Sequence, residues 1–234
     1  MRLIARWTIG PVHHAGFECL RLSVLAFSQL YDADLVICHN GLNEDQLLYL
    51  SDLPVQFIRQ EEQVYLGQAP IGVAWKLTPA RLCLNSHEIF LDNDLIIRER
   101  IEEIDLFLNN KNINIVLEAE ARHYGRFDNH VPPGHNINSG LFGIPPGFNL
   151  GNYVSLWGRW DDNCPTASRT WDEQGLVASA LTHQGQLVII PEETISNCYD
   201  SLIWAKGMHF VGLNRQSYHR SFAEYRYNSI AHLL

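Results

Sequence analysis

The stretch His87-Glu88-Ile89-Phe90-Leu91-Asp92-Asn93-Asp94-Leu95-Ile96-Ile97 governs how the rest of the chain is interpreted. The apolar run 89–91 leads into two aspartates one residue apart, and a second apolar run, 95–97, follows them. This pattern predicts a buried β-strand that ends in acidic side chains. In extended backbone, Asp92 and Asp94 would point to the same side and could hold one divalent cation. The alternative is a plain Asp-Asn-Asp turn between two strands.

Composition and charge are those of an ordinary globular protein. The chain has 234 residues, of which 46% are hydrophobic and 18% charged, so it can form one large domain, or at most two small ones, with a substantial core. A disordered chain would be less hydrophobic. The formal net charge of −9 argues against nucleic acid or an anionic membrane as a partner. An anionic ligand would therefore need a dedicated site.

The cysteines and the apolar runs indicate the compartment. Five cysteines are scattered without the close spacing of zinc or redox motifs. Residues 1–7 lack the apolar block of a signal peptide, and no apolar run approaches the roughly 18 residues of a membrane-spanning helix. We therefore expect a cytoplasmic protein without a transmembrane segment.

Apolar periodicity predicts alternating strands and helices over the first hundred residues. The expected strands are 3–9, 34–39, 55–59 and 89–91, and the expected helices are 15–31, 44–50 and 75–84, the last with Pro79 as an interruption. This alternation predicts a mostly parallel sheet with helices on its faces. Because ligands bind beyond the carboxyl ends of such strands, Asp92 and Asp94 would lie at the binding edge.

The second half of the chain continues the pattern less regularly. We expect helices at 98–108, 153–160 and 172–181 and strands at 113–117 and 186–190, with a small polar turn at 136–140 feeding a strand that ends near Ile144. Residues 122–135 are polar and rich in His, Pro and Gly, which is typical of a binding loop or lid. Without a repeat or linker, residues 1–234 are interpreted as a single domain.

A histidine near the carboxyl end can complete a metal site. His209 lies in the segment Lys206-Gly207-Met208-His209-Phe210-Val211-Gly212-Leu213-Asn214-Arg215. One imidazole and two carboxylates form a ligand set that suits Mn²⁺ and tolerates Mg²⁺, with open positions for the oxygens of a ligand. A lone histidine is more often structural, so this interpretation depends on its combination with Asp92 and Asp94.

The order of these motifs resembles that of GT-A fold glycosyltransferases, most closely the retaining group, family 8, that includes glycogenin and the bacterial lipopolysaccharide galactosyltransferases. Four features match in sequence: Leu91-Asp92-Asn93-Asp94 as the DxD motif, Asn138-Ser139-Gly140, Asp172-Glu173-Gln174, and His209 to Arg215 as HxxGxx followed by a basic residue. The resemblance implies a single Rossmann-like α/β/α domain with a mostly parallel central sheet. It also implies a metal-dependent enzyme that uses a nucleotide-sugar donor, with a donor-binding half at about 1–100 and an acceptor and metal-closing half at about 101–234.

By this resemblance, Asp92, Asp94 and His209 would ligate Mn²⁺ or Mg²⁺ bridging the donor diphosphate. Departure of a nucleoside diphosphate builds negative charge, which a metal ion can neutralise as a Lewis acid. Lys206 and Arg215 would add fixed positive charge to the same oxygens.

The resemblance also assigns further donor contacts. Lys76 or Arg81, which precede the DxD strand, would reach the donor, whereas the alternative is an ordinary surface cation. Asn138 would bind the sugar hydroxyls, or else stabilise its own turn. The matched motifs add three further donor-site residues, Asn93, Ser139 and Gly212.

The cluster Asp172-Glu173-Gln174 would lie beside the anomeric carbon and the acceptor. A carboxylate there could act as a base if the reaction inverts, whereas a carboxylate or amide could stabilise an oxocarbenium-like species if it retains. The resemblance favours retention, but the residues themselves leave both open. The alternative is that the acids only favour a helix N-terminus.

Two departures from the family pattern concern the nucleotide. Arg215-Gln216-Ser217 stands where the family usually has Lys-Pro-Trp, and the first strand ends without the acidic or asparagine-rich segment that commonly receives uracil. Thr8 and the pair His13-His14 are the polar candidates there, so a UDP-sugar is expected by analogy only.

Two other functions compete with this one, and the acceptor is open. The first is a sugar-phosphate nucleotidyltransferase, which would need a glycine-rich phosphate loop that residues 3–16 lack. The second is a catalytically silent domain that binds a nucleotide sugar without transferring the sugar. The acceptor is an unidentified carbohydrate, lipid or protein that could bring the enzyme to a membrane surface. Its contacts are expected in the loop 122–135 and the aromatic tail 218–227.

Overall fold

The computed structural model describes residues 2–10, 14–60, 74–77, 79–155, 171–197 and 205–210. Within these ranges the chain forms the strands β1 (Leu3–Ile9), β2 (Asp34–His39), β3 (Gln56–Arg59), β4 (His87–Asp92), β5 (Leu95–Ile97), β6 (Ile113–Glu118), β7 (Ile137–Ile144), β8 (Gln186–Ile190), β9 (Ile195–Ser196) and β10 (Gly207–His209). Its α-helices are α1 (His14–Leu30), α2 (Glu44–Tyr49), α3 (Glu102–Leu108), α4 (Leu150–Val154) and α5 (Asp172–His183), and two 3-10 helices span Ala74–Leu77 and Gly125–His130.

The central sheet has seven strands in the order β3-β2-β1-β4-β7-β6-β8. Neighbouring strands are parallel except that β7 runs antiparallel to both β4 and β6. The prediction of a mostly parallel α/β sheet is therefore confirmed. The reversal of β7 brings its amino end to the same edge as the carboxyl ends of β1, β4 and β6. Asn138 and Ser139 therefore lie at the edge where Asp92 ends β4.

Apolar side chains alternate between the two faces of the sheet and form a core on each. On one face, Trp7 and Leu91 belong to a cluster that includes residues of α1 and α3. On the other, Phe90 and Phe142 stack with ring centroids 4.2 Å apart in a cluster that includes residues of α4 and α5. Ten successive residues of α5, from Asp172 to Leu181, are buried. The start of this helix therefore carries polar groups into the interior.

A second, small sheet lies next to the acidic turn that follows β4. Its order is β5-β10-β9, with β10 antiparallel to β5 and parallel to β9. This pairing sets His209 opposite Leu95, and the backbone N–H of Phe210 donates to Asp94 O at 2.9 Å. A residue from the second half of the chain thereby lies next to the acidic turn after β4.

The helix expected at 75–84 is wrong. The chain forms a single 3-10 turn over Ala74–Leu77, and Pro79 to Leu84 is irregular. Proline has no N–H to donate and disfavours helical backbone in the residue before it, so the helical pattern cannot continue through this segment.

Other boundaries differ in smaller ways. Helix α3 begins at Glu102 rather than at residue 98, because Ile101 is extended and the N–H groups of Arg98 and Glu99 donate to Lys206 O. The loop 122–135 contains a 3-10 helix, and the polar turn expected at 136–140 is already part of β7 from Ile137 onward. Of the helix expected at 153–160, residues 156–160 lie outside the described ranges.

Two further expectations concern the chain as a whole. No helix in the described ranges has the length and apolar character needed to cross a membrane. The single-domain assignment and the division into a donor half and an acceptor half stay predictions.

Candidate active site

Asp92, Asp94 and His209 form one cluster at the carboxyl edge of the central sheet. Each offers a ligand atom, and the three atoms lie within 4.8 Å of one another. His209 Nε2 is 3.6 Å from Asp92 Oδ2 and 3.4 Å from Asp94 Oδ1. Two carboxylate oxygens and one imidazole nitrogen thus converge on a space of the size that a single cation needs.

A turn, rather than an extended strand, brings the two aspartates together. Asp92 is the last residue of β4, and Asn93 and Asp94 form the turn that leads into β5. Alternation along a strand therefore does not explain the geometry. The expected turn is present, and it leaves the metal interpretation possible, because the turn still brings the two carboxylates together. The turn is fixed by the Phe210 N–H on Asp94 O and by Asn93 Nδ2, which lies 3.4 Å from Gly16 O in α1.

The imidazole of His209 lies in a recess that depends on a glycine. His209 is only 4% exposed, and its buried Nδ1 has no hydrogen-bond partner among the described residues. A Cβ atom on Gly140 would lie 2.2 Å from His209 Cε1 and 2.8 Å from Nε2. Burial lowers the pKa of His209, but hydrogen bonds and charges from Asp92 and Asp94 outweigh it and raise the pKa to about 9. The carboxylates of Asp92 and Asp94 therefore stabilise positive charge at His209 Nε2.

Lys76 connects the cluster of Asp92, Asp94 and His209 to a second group of polar side chains. Its Nζ lies 3.1 Å from Asp92 Oδ1 and 3.0 Å from Glu173 Oε1, and it donates to Ser139 O at 3.2 Å. Burial lowers the pKa of Lys76, but the two carboxylates raise it above its ordinary value overall. For Asp92, burial raises the pKa, whereas Lys76 and His209 lower it overall. Both groups therefore stay charged at neutral pH.

Glu173 and Gln174 are held against the amino end of β7. Ser139 Oγ donates to Glu173 Oε2 at 3.0 Å, and the Ser139 N–H points to Gln174 Oε1 at 3.4 Å. Gln174 Nε2 donates to His123 O at 2.9 Å. Burial raises the pKa of Glu173 to about 7, Asp92 adds to this effect, and Lys76 opposes it. A carboxyl and a carboxamide are thus fixed in place beside the metal cluster.

Asp172 is not part of this group. It is fully buried, and its two oxygens accept from Arg126, Oδ1 from the backbone N–H at 2.8 Å and Oδ2 from Nε at 2.6 Å. Asp172 therefore anchors the 3-10 helix Gly125–His130 to α5. The sequence analysis did not identify Arg126 or His123 as site residues. Arg126 could have been noticed as a basic residue within the loop 122–135, which was expected to bind a ligand.

The structure separates Lys76 from Arg81, which the sequence treated as equivalent. Arg81 donates to Cys83 O at 3.1 Å and Phe148 O at 3.2 Å, and its Nε lies 3.5 Å from Glu88 Oε2. These contacts hold the guanidinium away from the cluster around Asp92.

The remaining predicted residues lie in different parts of the structure. Asn138 Oδ1 accepts from the Gly140 N–H at 2.7 Å, so its side chain stabilises its own backbone. Thr8 pairs in register with Asp92 at the end of β1, and Lys206 Nζ is 3.9 Å from the exposed Glu102 rather than in the cluster. Predicted residues that lie outside the described ranges are Gly212, Arg215, His13 and the tail 218–227.

Comparison with known proteins identifies the fold. No protein-family model matches the sequence, and a search of curated proteins finds no match either. The galactosyltransferase LgtC, solved with donor and acceptor sugar analogues, matches with a TM-score of 0.59 and 11% identity over 94% of each chain. The bifunctional glycosyltransferase WbbM matches with a TM-score of 0.62 and 10% identity over 92% of this chain and 46% of that one. Mouse xyloside xylosyltransferase 1 matches with a TM-score of 0.52 and 12% identity over 89% of this chain and 97% of its own. The chain therefore has the GT-A fold of these glycosyltransferases.

Proposed function

We propose that this chain is a metal-dependent glycosyltransferase that transfers a sugar from a nucleoside-diphosphate donor to a hydroxyl group, with retention. The observation that carries the proposal is the cluster of Asp92, Asp94 and His209 beside Lys76 and Glu173, at the carboxyl edge of a GT-A sheet. The base is uridine by analogy, and the acceptor is an unidentified carbohydrate, lipid or protein. The free cysteines Cys19, Cys38 and Cys83 suit a cytoplasmic enzyme, which could meet a membrane through its acceptor.

The cluster fits a divalent cation. Asp92, Asp94 and His209 would hold Mn²⁺ or Mg²⁺ through two carboxylates and one imidazole, and three ligands leave positions for diphosphate oxygens. The recess beside Gly140, where any side chain would meet the imidazole, supports a dedicated ligand role for His209. The bound cation would supply Lewis-acid stabilisation of the leaving diphosphate.

Lys76 supplies a second, fixed positive charge for the donor. Its ammonium is buried and held between Asp92 and Glu173, so its position is set before the donor arrives. Preorganised charge of this kind stabilises a leaving group without reorganisation during the reaction. We favour Lys76 over Arg81, whose guanidinium contacts Glu88 and backbone carbonyls.

Glu173 and Gln174 face the transferred sugar in this proposal. Both are buried and fixed by Ser139, and Gln174 is held further by His123 O. Their oxygens would stabilise positive charge that develops at the anomeric carbon. Asp172 would act through its contact with Arg126, by fixing the loop that carries His123. The remaining proposed donor contacts are Thr8, Asn93, Asn138, Ser139, Gly212 and Arg215.

Donor hydrolysis tests the proposal. The purified chain is incubated with UDP- and GDP-sugars, first with Mn²⁺ and then with EDTA, and nucleoside diphosphate release is measured. We expect metal-dependent release with at least one donor. Tight donor binding without any turnover would favour the silent-domain alternative, and formation of a nucleotide sugar from sugar 1-phosphate and nucleoside triphosphate would favour the nucleotidyltransferase.

A matched pair of variants links the activity to the cluster. Asp94→Ala removes a proposed metal ligand and should abolish Mn²⁺-dependent binding of UDP, measured by calorimetry. Asp52→Ala removes an aspartate that pairs with Arg21 on the surface and should leave this binding unchanged. Unaltered binding by Asp94→Ala would contradict the assignment of the metal site.

A further inference from the structure

Arg6 and Glu88 form a fully buried ion pair in the centre of the sheet. Both side chains are 0% exposed, and Arg6 Nη1 is 3.2 Å from Glu88 Oε1. The residues lie on the neighbouring strands β1 and β4, and the Arg6 guanidinium stacks 4.4 Å above the Phe90 ring. A buried ion pair is weak evidence for stability, because removing both charges from water offsets their attraction. Apolar side chains would fill the same space, so the charges need another explanation.

The pair binds the backbone of Lys76, in the 3-10 turn, and of Pro79 and Leu82, in the irregular stretch that follows. Arg6 Nη2 donates to Lys76 O at 3.0 Å and Nη1 donates to Pro79 O at 2.7 Å. Glu88 Oε2 accepts from the Leu82 N–H at 3.0 Å. Buried backbone groups need partners, which a helix would supply from within itself. Since the 3-10 turn ends at Leu77, the side chains of Arg6 and Glu88 supply these partners instead.

The same segment carries Lys76, whose ammonium lies between Asp92 and Glu173. Lys76 is held at both ends: its carbonyl accepts from Arg6, and its Nζ contacts the two carboxylates. The planar guanidinium of Arg6 reaches two carbonyls and a carboxylate together, a geometry that the single ammonium of a lysine cannot reproduce.

We propose that Arg6 and Glu88 are positioning residues, which fix the backbone at Lys76, Pro79 and Leu82 so that the Lys76 ammonium lies beside Asp92 and Glu173. The consequence for donor binding rests on the proposed function. The placement of Lys76 does not depend on that function and can be measured directly.

Reductive methylation reports the placement of Lys76, because the chain has only three lysines, Lys76, Lys111 and Lys206. Formaldehyde and cyanoborohydride are added to the folded chain, and the rate at each lysine is read by mass spectrometry. The Lys76 side chain is 8% exposed, whereas Lys111 and Lys206 are more accessible and serve as internal standards. We expect Lys76 to react far more slowly than both standards in the native protein.

Two variants of the ion pair then test the proposal. Arg6→Lys keeps the positive charge but removes the forked guanidinium group. The double variant Arg6→Met with Glu88→Leu replaces the ion pair by apolar side chains that can preserve stability. In both, the rate at Lys76 relative to Lys111 should rise about tenfold or more, the factor expected when a hydrogen bond from a charged donor is lost. The control Arg21→Lys alters an arginine that binds Tyr49 O and Asp52, and it should leave Lys76 protected. Full protection of Lys76 in both folded variants would overturn the proposal.

A double-mutant cycle gives the functional arm. Affinity for UDP with Mn²⁺ is measured by calorimetry for Arg6→Lys, Lys76→Met and their combination. We expect Arg6→Lys to weaken binding about tenfold alone and to have little further effect once Lys76 is replaced, since coupled residues are not additive. Equal losses in both backgrounds would mean that Arg6 acts generally on the fold, and would overturn the proposal. If the native chain binds neither UDP nor GDP with Mn²⁺, the proposed function fails, and the methylation rates still decide the placement of Lys76.

Discussion

Replacing Gly140 by alanine should damage the metal site while leaving the fold in place. The added Cβ would lie 2.2 Å from His209 Cε1 and 2.8 Å from Nε2, whereas ordinary contact begins at 3.4 Å. The ring would therefore have to move by about 1.2 Å, which is large beside the roughly 0.2 Å tolerance of metal–ligand distances. The added Cβ would also lie 2.9 Å from Asn138 Oδ1, but its shortest contacts are with the His209 ring, which must move furthest.

The expected result is a loss of metal affinity. Disturbing the groups that orient a metal ligand typically lowers affinity by about 10- to 100-fold, and here the ligand itself is displaced. We therefore expect the affinity of Gly140→Ala for Mn²⁺ to fall by at least about tenfold, measured by calorimetry on the folded chain. Asp94→Ala provides the reference for removal of a complete ligand.

Gly143 of the same strand provides a matched control. A Cβ there would lie 2.7 Å from Ile115 Cγ1 and 3.0 Å from Phe107 Cζ, within the apolar core rather than the cluster. Gly143→Ala should lower the melting temperature by overpacking and leave Mn²⁺ affinity unchanged. If Gly140→Ala is folded and binds Mn²⁺ as tightly as the native chain, His209 is not a ligand in the geometry described.

Two further predictions concern buried charges. The first is that Glu173→Gln should change the pH dependence of stability. The pKa of Glu173 is about 7 in the folded chain against an ordinary 4.5, so between these pH values the folded state keeps a proton that the unfolded state loses. The free energy of unfolding of the native chain should therefore fall by about 3 kcal/mol as the pH rises through this range. Urea unfolding over pH 4 to 8 should show this fall reduced in the variant, and parallel curves would contradict the assigned pKa. Arg126→Ala should lower stability by about 3 kcal/mol because buried Asp172 loses its guanidinium partner. Arg126→Ala should cost less stability when Asp172 is already replaced by Asn. If thermal unfolding shows the same destabilisation in both backgrounds, the Arg126–Asp172 ion pair is not its cause.

The elements with strong local patterns could be predicted from the sequence. Strands β1, β2, β4, β6 and β8 are rich in apolar residues, and Asp92 and Asp94 stand out because they separate two apolar runs. The order of motifs was sufficient to suggest the GT-A fold, which the structural comparison supports. The two aspartates could be recognised because they are neighbours in the chain.

The family resemblance grouped His209 with the aspartates, but the strand pairing that brings it there could not be predicted. Strand β10 has three residues, too few for a periodic signal, and its position follows from antiparallel pairing with β5 more than a hundred residues earlier. The choice between Lys76 and Arg81 depended on a segment in which Pro79 prevents the expected helix. Asp172 and Glu173 are adjacent on α5 and so point about 100° apart, and only the packing of the loop determines which faces the site.

The charges of the candidate site would couple metal binding to donor binding in the proposed function. Three carboxyl groups, those of Asp92, Asp94 and Glu173, face the Lys76 ammonium and the His209 ring in a largely buried space. A nucleoside diphosphate that approached the cluster without a cation would be repelled by the nearby aspartates in a low-dielectric environment. In the proposed function, Asp92, Asp94 and His209 would hold a divalent cation, which would supply positive charge for the diphosphate. Lys76 would add a second, fixed positive charge beside this cluster, so we expect loss of Lys76 and loss of the cation each to weaken donor binding.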